Sequence, residues 1–247
     1  MSFRVRGKLL THGLAFSVAG SSEVNSERLV LACTRAFRIR SFWDIGSNIG
    51  YYAWLIKSAA PDVELVLLEP LRENAELIRE TIGRHGFADA TLIVAGASDT
   101  SGEAILHADR IAGATSSLEE AERTFEERHM GVASKEVKVR IVSVDEAQRG
   151  HRPIDLMKID VEGHEAAVLR GTRETIRRDQ PLILIECWHA GHPCLAGLES
   201  CGYRIVDADH LRTDCSAHRG NFFCFPGKYA DRVETLLQVA GERSVAA

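Results

Sequence analysis

Between residues 40 and 190, short apolar runs alternate with longer helical patterns, and this alternation restricts the fold more than any other feature of the chain. Ser41–Ile45, Val63–Leu68, Ala90–Ala95, Ile154–Ile159 and Leu182–Ile185 are nearly continuous apolar runs. Strands buried on both faces read this way, whereas half-solvated strands alternate. Helical patterns fill the intervals at Gly50–Ala60, at Leu71–His85 with Leu77, Ile78 and Ile82 on one face, and at His164–Arg178. Parallel neighbours cannot be joined by a tight turn and need a crossover, so the alternation predicts an α/β fold with a mostly parallel, doubly wound sheet. After Gly202 the pattern changes. Tyr203–Val206 and Asn221–Phe225 are strand candidates joined by a polar loop, which predicts a terminal pair with an antiparallel C-terminal edge strand.

Two segments stand outside this frame. Residues 102–140 mix Ala104–His107, the Gly/Ser segment Gly113–Ser117, a charged helical run at Leu118–His129 and the strand Val137–Val142. They read as an insertion between the third and fourth main strands. Residues 1–40 read as an extension with a hairpin around Gly13–Val18 and a helix near Ser26–Phe37. Neither a repeat nor a linker is visible, so a single domain over 1–247 is expected. A chain of this length buries roughly 70% of its unfolded surface and needs no staples. Six cysteines without a C-x-x-C pair therefore read as reduced thiols in a cytoplasmic protein. The net charge of −5 without a basic block argues against a nucleic-acid partner. No run approaches the ~18 apolar residues of a membrane span, and none follows the basic N-terminus as a signal peptide would require.

The segment Phe42–Tyr51 runs from a strand through a glycine turn into a helix, the place where open α/β sheets bind ligands. Gly46 would let the backbone turn against a ligand where a Cβ would collide, and Gly50 would let the helix start pack closely. Helix N-terminal N–H groups there can meet a carboxylate or phosphate. The dinucleotide fingerprint is G-x-G-x-x-G, but Asn48 stands where its second glycine would be. Asp44, before the turn, repels phosphate and suits an ammonium group. Glu69, at the end of the next strand, suits a pair of ribose hydroxyls. Together they describe a pocket for an adenosyl amino acid.

From Asp44 to Tyr51 the sequence resembles the D-[IV]-G-[AS]-N-[IV]-G-x motif of the FkbM family of methyltransferases, with Ser47 where Ala is frequent. Glu69-Pro70 is similar to the family's second-strand ending, and Ala97-Ser98-Asp99 with Gly102 to its third-strand segment. The most distinctive match is Lys158 to Gly171, which resembles K-[IV]-D-[VI]-E-G-x-E-x-x-[VA]-L-x-G, with His164 where a small apolar residue is common. The likeness runs from roughly Gly13 to Phe225 and is loose over Thr115–Asp145. It implies a Rossmann-like class I methyltransferase fold and S-adenosylmethionine as methyl donor. It also implies a hydroxyl acceptor on a sugar or polyketide-type small molecule. Cofactor-binding residues are then expected at Asp44, Gly46, Ser47, Asn48, Gly50, Tyr51, Glu69, Pro70, Ala97, Ser98 and Asp160.

A hydroxyl acceptor needs a base or a metal ion. Asp160 is the favoured base. Glu162 could line the cofactor pocket, His164 could serve as a near-neutral base, and Glu186 follows the fifth strand. Glu165 reads as a helix first-turn charge. Asp160, Glu186 and His189 could instead hold a divalent ion such as Mg²⁺, although no tight carboxylate pair is visible and the metal is not favoured. Cys187, His189, His192 and Cys194 have zinc-ligand chemistry without a zinc spacing; Cys201, Cys215 and Cys224 read as structural. Trp43, Trp54 and Trp188 read as core, and no N/D-P-P-Y-like segment follows the fourth strand, which disfavours a base-amino target. The rival readings are a nicotinamide-dependent oxidoreductase and a non-catalytic S-adenosylmethionine-binding subunit. Acceptor identity and a homo-oligomeric state stay open.

Overall fold

The computed structural model describes residues 23–108, 116–119, 134–187, 193–215 and 220–242. Helix α1 (Glu23–Ala36) leads into β1 (Ser41–Ile45), α2 (Tyr51–Ala59), β2 (Glu64–Leu68), α3 (Arg72–His85) and β3 (Ala90–Ile93). A second run, β7 (Leu156–Ile159), α5 (Glu165–Arg170), α6 (Arg173–Asp179) and β8 (Leu182–Cys187), lies on the far side of β1. The chain closes with α7 (Pro193–Ser200), β9 (Tyr203–Asp207), β10 (Gly220–Pro226), a 3₁₀ turn at Gly227–Arg232 and α8 (Val233–Glu242). The main sheet has seven strands in the order β3-β2-β1-β7-β8-β10-β9. The first five are mutually parallel. From β1 the chain winds outward to β3 and then returns to the other side, so the topological switch point falls between β1 and β7.

Strand periodicity divides the buried side chains between two layers. On one face, Phe42, Leu65, Leu184, Phe223 and Phe225 pack with Leu29, Trp54 and Leu236 of α1, α2 and α8. On the other, Trp43, Val66, Met157, Ile183, Ile185 and Phe222 pack with Val168, Ile176 and Leu198 of α5, α6 and α7. The antiparallel strand expected at the C-terminal end is β10, and it slots between β8 and β9, so β9 takes the edge. The reason is burial. Phe222, Phe223, Cys224 and Phe225 are apolar on both faces and at most 2% exposed, whereas β9 carries the half-buried Arg204.

Residues between the third and fourth parallel strands build a small sheet of β4 (Gly96–Ala97), β5 (Gly102–Ala108) and β6 (Lys135–Val142), in the order β4-β6-β5. A short helix, α4 (Val144–Ala147), follows it. The β5–β6 pair is an antiparallel ladder with Ala104 opposite Val139, and Leu106, Ala108 and Val139 form a minor core with Leu71. The expected helical run at Leu118–His129 is described only at Leu118 and Glu119, which are not helical; the rest, like the hairpin expected around Gly13–Val18, lies outside the described residues. Among the described residues no helix is long and apolar enough to cross a membrane.

The single helix expected over His164–Arg178 is two, α5 and α6, with a corner at Gly171 and Thr172. Packing forces the break. A Cβ on Gly171 would lie 2.0 Å from the Ser98 carbonyl oxygen and 3.0 Å from Asp99 Cα, so the corner is wedged against the end of β4. Both obstacles are backbone and cannot swing aside. Gly171→Ala is expected to lower the unfolding free energy by about 2–3 kcal/mol, read from urea denaturation. A loss below about 0.5 kcal/mol would mean that the corner has room to spare.

Candidate active site

At the end of β1 the N–H groups of Gly46 and Ser47 both donate to the Leu68 carbonyl, at 3.1 and 3.0 Å, which ties the loop to the end of β2. Gly46, Asn48 and Gly50 all adopt left-handed conformations, with φ of 76°, 52° and 81°. At Gly46 a Cβ would stand 1.9 Å from the Asp160 carbonyl oxygen just after β7, so the chain itself already excludes a side chain there. At Gly50 it would strike the Trp54 indole at 2.7 Å, so the start of α2 is closely packed, as its sequence led us to expect. Ser47 Oγ donates back to the Leu68 carbonyl at 3.2 Å. Tyr51 is 40% exposed and donates its hydroxyl to Glu27 at 2.7 Å.

Glu69 is 4% exposed. One carboxylate oxygen accepts from Asn48 N at 2.8 Å, and the other from Leu71 N at 2.9 Å and Asn74 Nδ2 at 3.4 Å. Burial nevertheless dominates and pushes the carboxyl up to about 8, against the lowering effect of those donors. Asp44 is 2% exposed and accepts from Ala53 N, in the first turn of α2, at 3.3 Å. Burial raises it to about 6, with Lys158 and the Ala53 N–H pulling the other way.

Lys158 is the residue that reading the sequence for acids and bases passes over, although it heads the most distinctive motif. It is the register partner of Asp44 across the β1–β7 switch point. Its ammonium donates to Asp160 Oδ2 at 2.6 Å and lies 5.0 Å over the Tyr52 ring. Burial works against its charge, but Asp160, Asp44 and Glu186 outweigh burial and hold its pKa above the usual lysine value. Three of the expected carboxylates are thus gathered around one buried cation.

His164, expected as a base, stands elsewhere. Its Nε2 is 2.9 Å from Ser98 Oγ and its Nδ1 is 2.6 Å from Glu119 Oε1. Glu165 is the first-turn acid of α5, as expected; it is 1% exposed and accepts from Gly163 N at 2.9 Å, so it also braces the turn after β7. That turn is unusual, since Glu162 at φ 51° precedes Gly163 at φ 100°. The Cys187 and Cys194 sulfurs are buried and 3.6 Å apart, and their mutual contact followed by burial raises the Cys187 thiol. Trp188, His189 and His192 lie outside the described residues. Among the described residues no group of three or more His, Cys, Asp or Glu side chains is arranged to hold a metal.

A cleft of about 570 Å³, open to solvent, lies beyond the carboxyl ends of β1, β2 and β7. Gly46, Asn48 and Glu69 form its floor; Pro70, Ala97, Leu106 and Leu118 give it an apolar slot; and Asp160, Val161 and Glu162 close the remaining side. Among the described residues its lining includes three acids and no lysine, arginine or histidine. Asp44, Ser47, Gly50, Tyr51, Ser98, His164 and Glu186 are not among them.

The Methyltransferase FkbM domain matches residues 44–205, from Asp44 to Ile205. This chain belongs to the FkbM methyltransferase family. Its fold is the Rossmann-like methyltransferase fold. It is similar to the crystal structure of a methyltransferase FkbM from Methylobacillus flagellatus KT, with 15% identity over 76% of this chain and a TM-score of 0.52. The match spans 44% of that protein, less than half its length. The cofactor-bound Rv0187 from MTB matches with 14% identity, 90% of each chain covered and a TM-score of 0.46. A methyltransferase from Geobacter sulfurreducens matches with 13% identity, 82% of this chain and 79% of that one, and a TM-score of 0.45. No curated protein matches the sequence.

In this FkbM-family chain, Asp44 and Glu69 bind their protons more tightly folded than unfolded. The folded state therefore holds more protons between 3.8 and about 6 for Asp44 and between 4.5 and about 8 for Glu69. Stability falls as pH rises through those windows, by up to about 1.4 kcal/mol per pH unit for each group. Below the lower limits both states are protonated and the slope vanishes. Urea midpoints of the ligand-free protein are expected to drop between pH 5 and pH 8, and Glu69→Gln is expected to flatten the drop above pH 6. An unchanged slope in that variant would assign the effect to other groups.

Proposed function

We propose that this methyltransferase transfers a methyl group from S-adenosylmethionine to a hydroxyl of a small molecule of the sugar or polyketide type, and that residues 1–247 serve as one methyltransferase domain. The observation that carries this reading is the charge of the cleft. Glu69, Asp160 and Glu162 line it without a cationic side chain among the described residues. A pyrophosphate would find no cation on that lining, the nearby Lys158 ammonium being already bonded to Asp160, whereas a sulfonium and an ammonium would be favoured beside Asp160 and Glu162. This argues against the nicotinamide alternative independently of the missing loop glycine.

The residues present fit such a ligand. Glu69 accepts backbone donors at the floor of the cleft and keeps lone pairs for vicinal hydroxyls. The slot between Pro70, Ala97, Leu106 and Leu118 suits a planar base. Asn48 and Gly46 bring loop backbone to the ligand. Asp44, beneath the loop, holds the first turn of α2 and adds negative potential on the amino-acid side. Ser47, Gly50 and Tyr51 act by shaping the loop, and Glu186 by balancing Lys158. Donors on a ligand favour the ionised form of Glu69, so affinity for S-adenosylhomocysteine should rise between pH 6 and pH 8.

Bound there, S-adenosylmethionine supplies an activated methyl group on a sulfonium. The chain's own task is to hold the acceptor in line with it and take away a proton. Asp160 is the base in this reading. Lys158 donates to one of its oxygens, which leaves the other for the acceptor hydroxyl. A carboxylate suffices because the hydroxyl becomes acidic as its oxygen bonds carbon. Glu162 lines the acceptor side. A divalent ion at Asp160 would face the Lys158 ammonium, so the reaction is read as metal-independent.

S-adenosylhomocysteine, and not NAD, is expected to raise the melting temperature and to bind measurably by calorimetry. Asp44→Asn should weaken that binding at least tenfold. Asp160→Asn should cut turnover by about 10²–10³-fold while cofactor affinity stays within a few fold. Retained turnover in that variant would move the base elsewhere. Activity on a panel of sugars and aglycones should survive EDTA, and loss restored by Mg²⁺ would overturn the metal-free reading. Turnover by the isolated chain excludes a non-catalytic subunit.

A further inference from the structure

His164 joins three separate parts of the chain. It stands at the N-terminus of α5, its Nε2 faces Ser98 just after β4, and its Nδ1 faces Glu119 in the segment Ser116–Glu119. One tautomer satisfies both contacts, with Nδ1–H donating to Glu119 and Nε2 accepting from the Ser98 hydroxyl. The order Ser–His–Glu is that of a nucleophile-activating triad. However, Ser98 is 4% exposed and is not among the described residues that line the cleft, which does not suit it to attack a substrate there.

What the histidine does hold is a strap. Ser117 exchanges backbone hydrogen bonds with His107 of β5 at 2.9 and 3.1 Å, and its hydroxyl donates to the Glu162 carbonyl at 2.6 Å. The same hydroxyl accepts from Glu119 N at 3.1 Å. Leu118 stands between the Ser117 tie and the Glu119 tie. It lines the cleft, and its Cδ1 approaches within 3.3 Å of the place a Cβ on Gly96 would occupy. The strap is thus tied at Ser117 to β5 and to the Glu162 turn and at Glu119 to His164, with an apolar wall of the slot between. Other charges near His164 are Asp99, held by Arg170 at 2.9 Å, and Glu165, turned toward Gly163.

We propose that His164 is a positioning residue that latches the Ser116–Glu119 strap through Glu119, keeping Leu118 over the nucleoside slot and slowing release of the cofactor and its product. This rests on the reading of the cleft as the cofactor pocket. Released from Glu119, the strap loses its tie to the start of α5, and Leu118 loses a support on that side.

The test compares wild type with His164→Ala, Glu119→Ala and the double variant. In ligand-free protein, hydrogen exchange at the amides of Ser117 and Glu119 should quicken roughly tenfold or more in each single variant, with the melting temperature little changed. The off-rate of S-adenosylhomocysteine and the KM for S-adenosylmethionine should rise by a similar factor, while kcat at saturating cofactor moves far less. The double variant should be no worse than either single one, because both remove the same tie. Unchanged exchange in the single variants, or effects that multiply in the double one, would overturn the latch. Faster exchange with an unaltered off-rate would overturn its role in retention. Failure of wild type to bind S-adenosylhomocysteine would instead sink the reading of the pocket, and the proposed retention with it.

Discussion

The buried ammonium of Lys158 is the interaction on which the site's architecture depends. It lies at the switch point of the sheet, opposite Asp44 on β1 and bonded to Asp160 at the end of β7. An isolated carboxylate desolvated as fully as Asp44 would be costly, and so would an isolated lysine. Together with Glu186 they form a cluster that leaves an excess of negative charge at the carboxyl ends of the strands. The glycine loop is fitted around the same point, since Gly46 passes close enough to the Asp160 carbonyl to exclude any side chain. Loop geometry and charge balance are thus two consequences of joining β1 to β7.

The cleft inherits that excess. Its carboxyl Glu69 is held by backbone donors, yet burial makes it costly to ionise. The small sheet between β3 and β7 supplies the opposite wall. Leu118, from the stretch that resembles the family loosely, lines the cleft together with Leu106 of β5 and with Pro70 and Ala97.

Much of the parallel sheet was legible because buried strands and amphipathic helices write their periods directly into composition. Ser41–Ile45 and the fifth-strand run starting at Leu182 are where they were expected. The boundaries that moved did so for tertiary reasons. One helix became α5 and α6 because Gly171 meets Ser98, a residue far away in sequence. The antiparallel strand moved inside the edge because Phe222–Phe225 had two faces to bury. At the site, Asp44, Glu69 and Asp160 were recognisable as acids at strand ends. No periodicity could show that Asp44 lies under the loop, or that His164 turns away from the cleft toward Glu119.

By itself the sequence determined which segments are strands, where the glycine loop lies and which carboxylates crowd the sheet's carboxyl ends, because these follow from local pattern and residue chemistry. Only the tertiary structure decided how those charges are shared. Whether an acid faces a ligand, a lysine or a backbone N–H depends on strand order and register, which bring Asp44 to Lys158, Glu69 to Asn48 and His164 to Glu119 across long stretches of chain. Burial then sets the cost of each charge, and burial belongs to the whole fold.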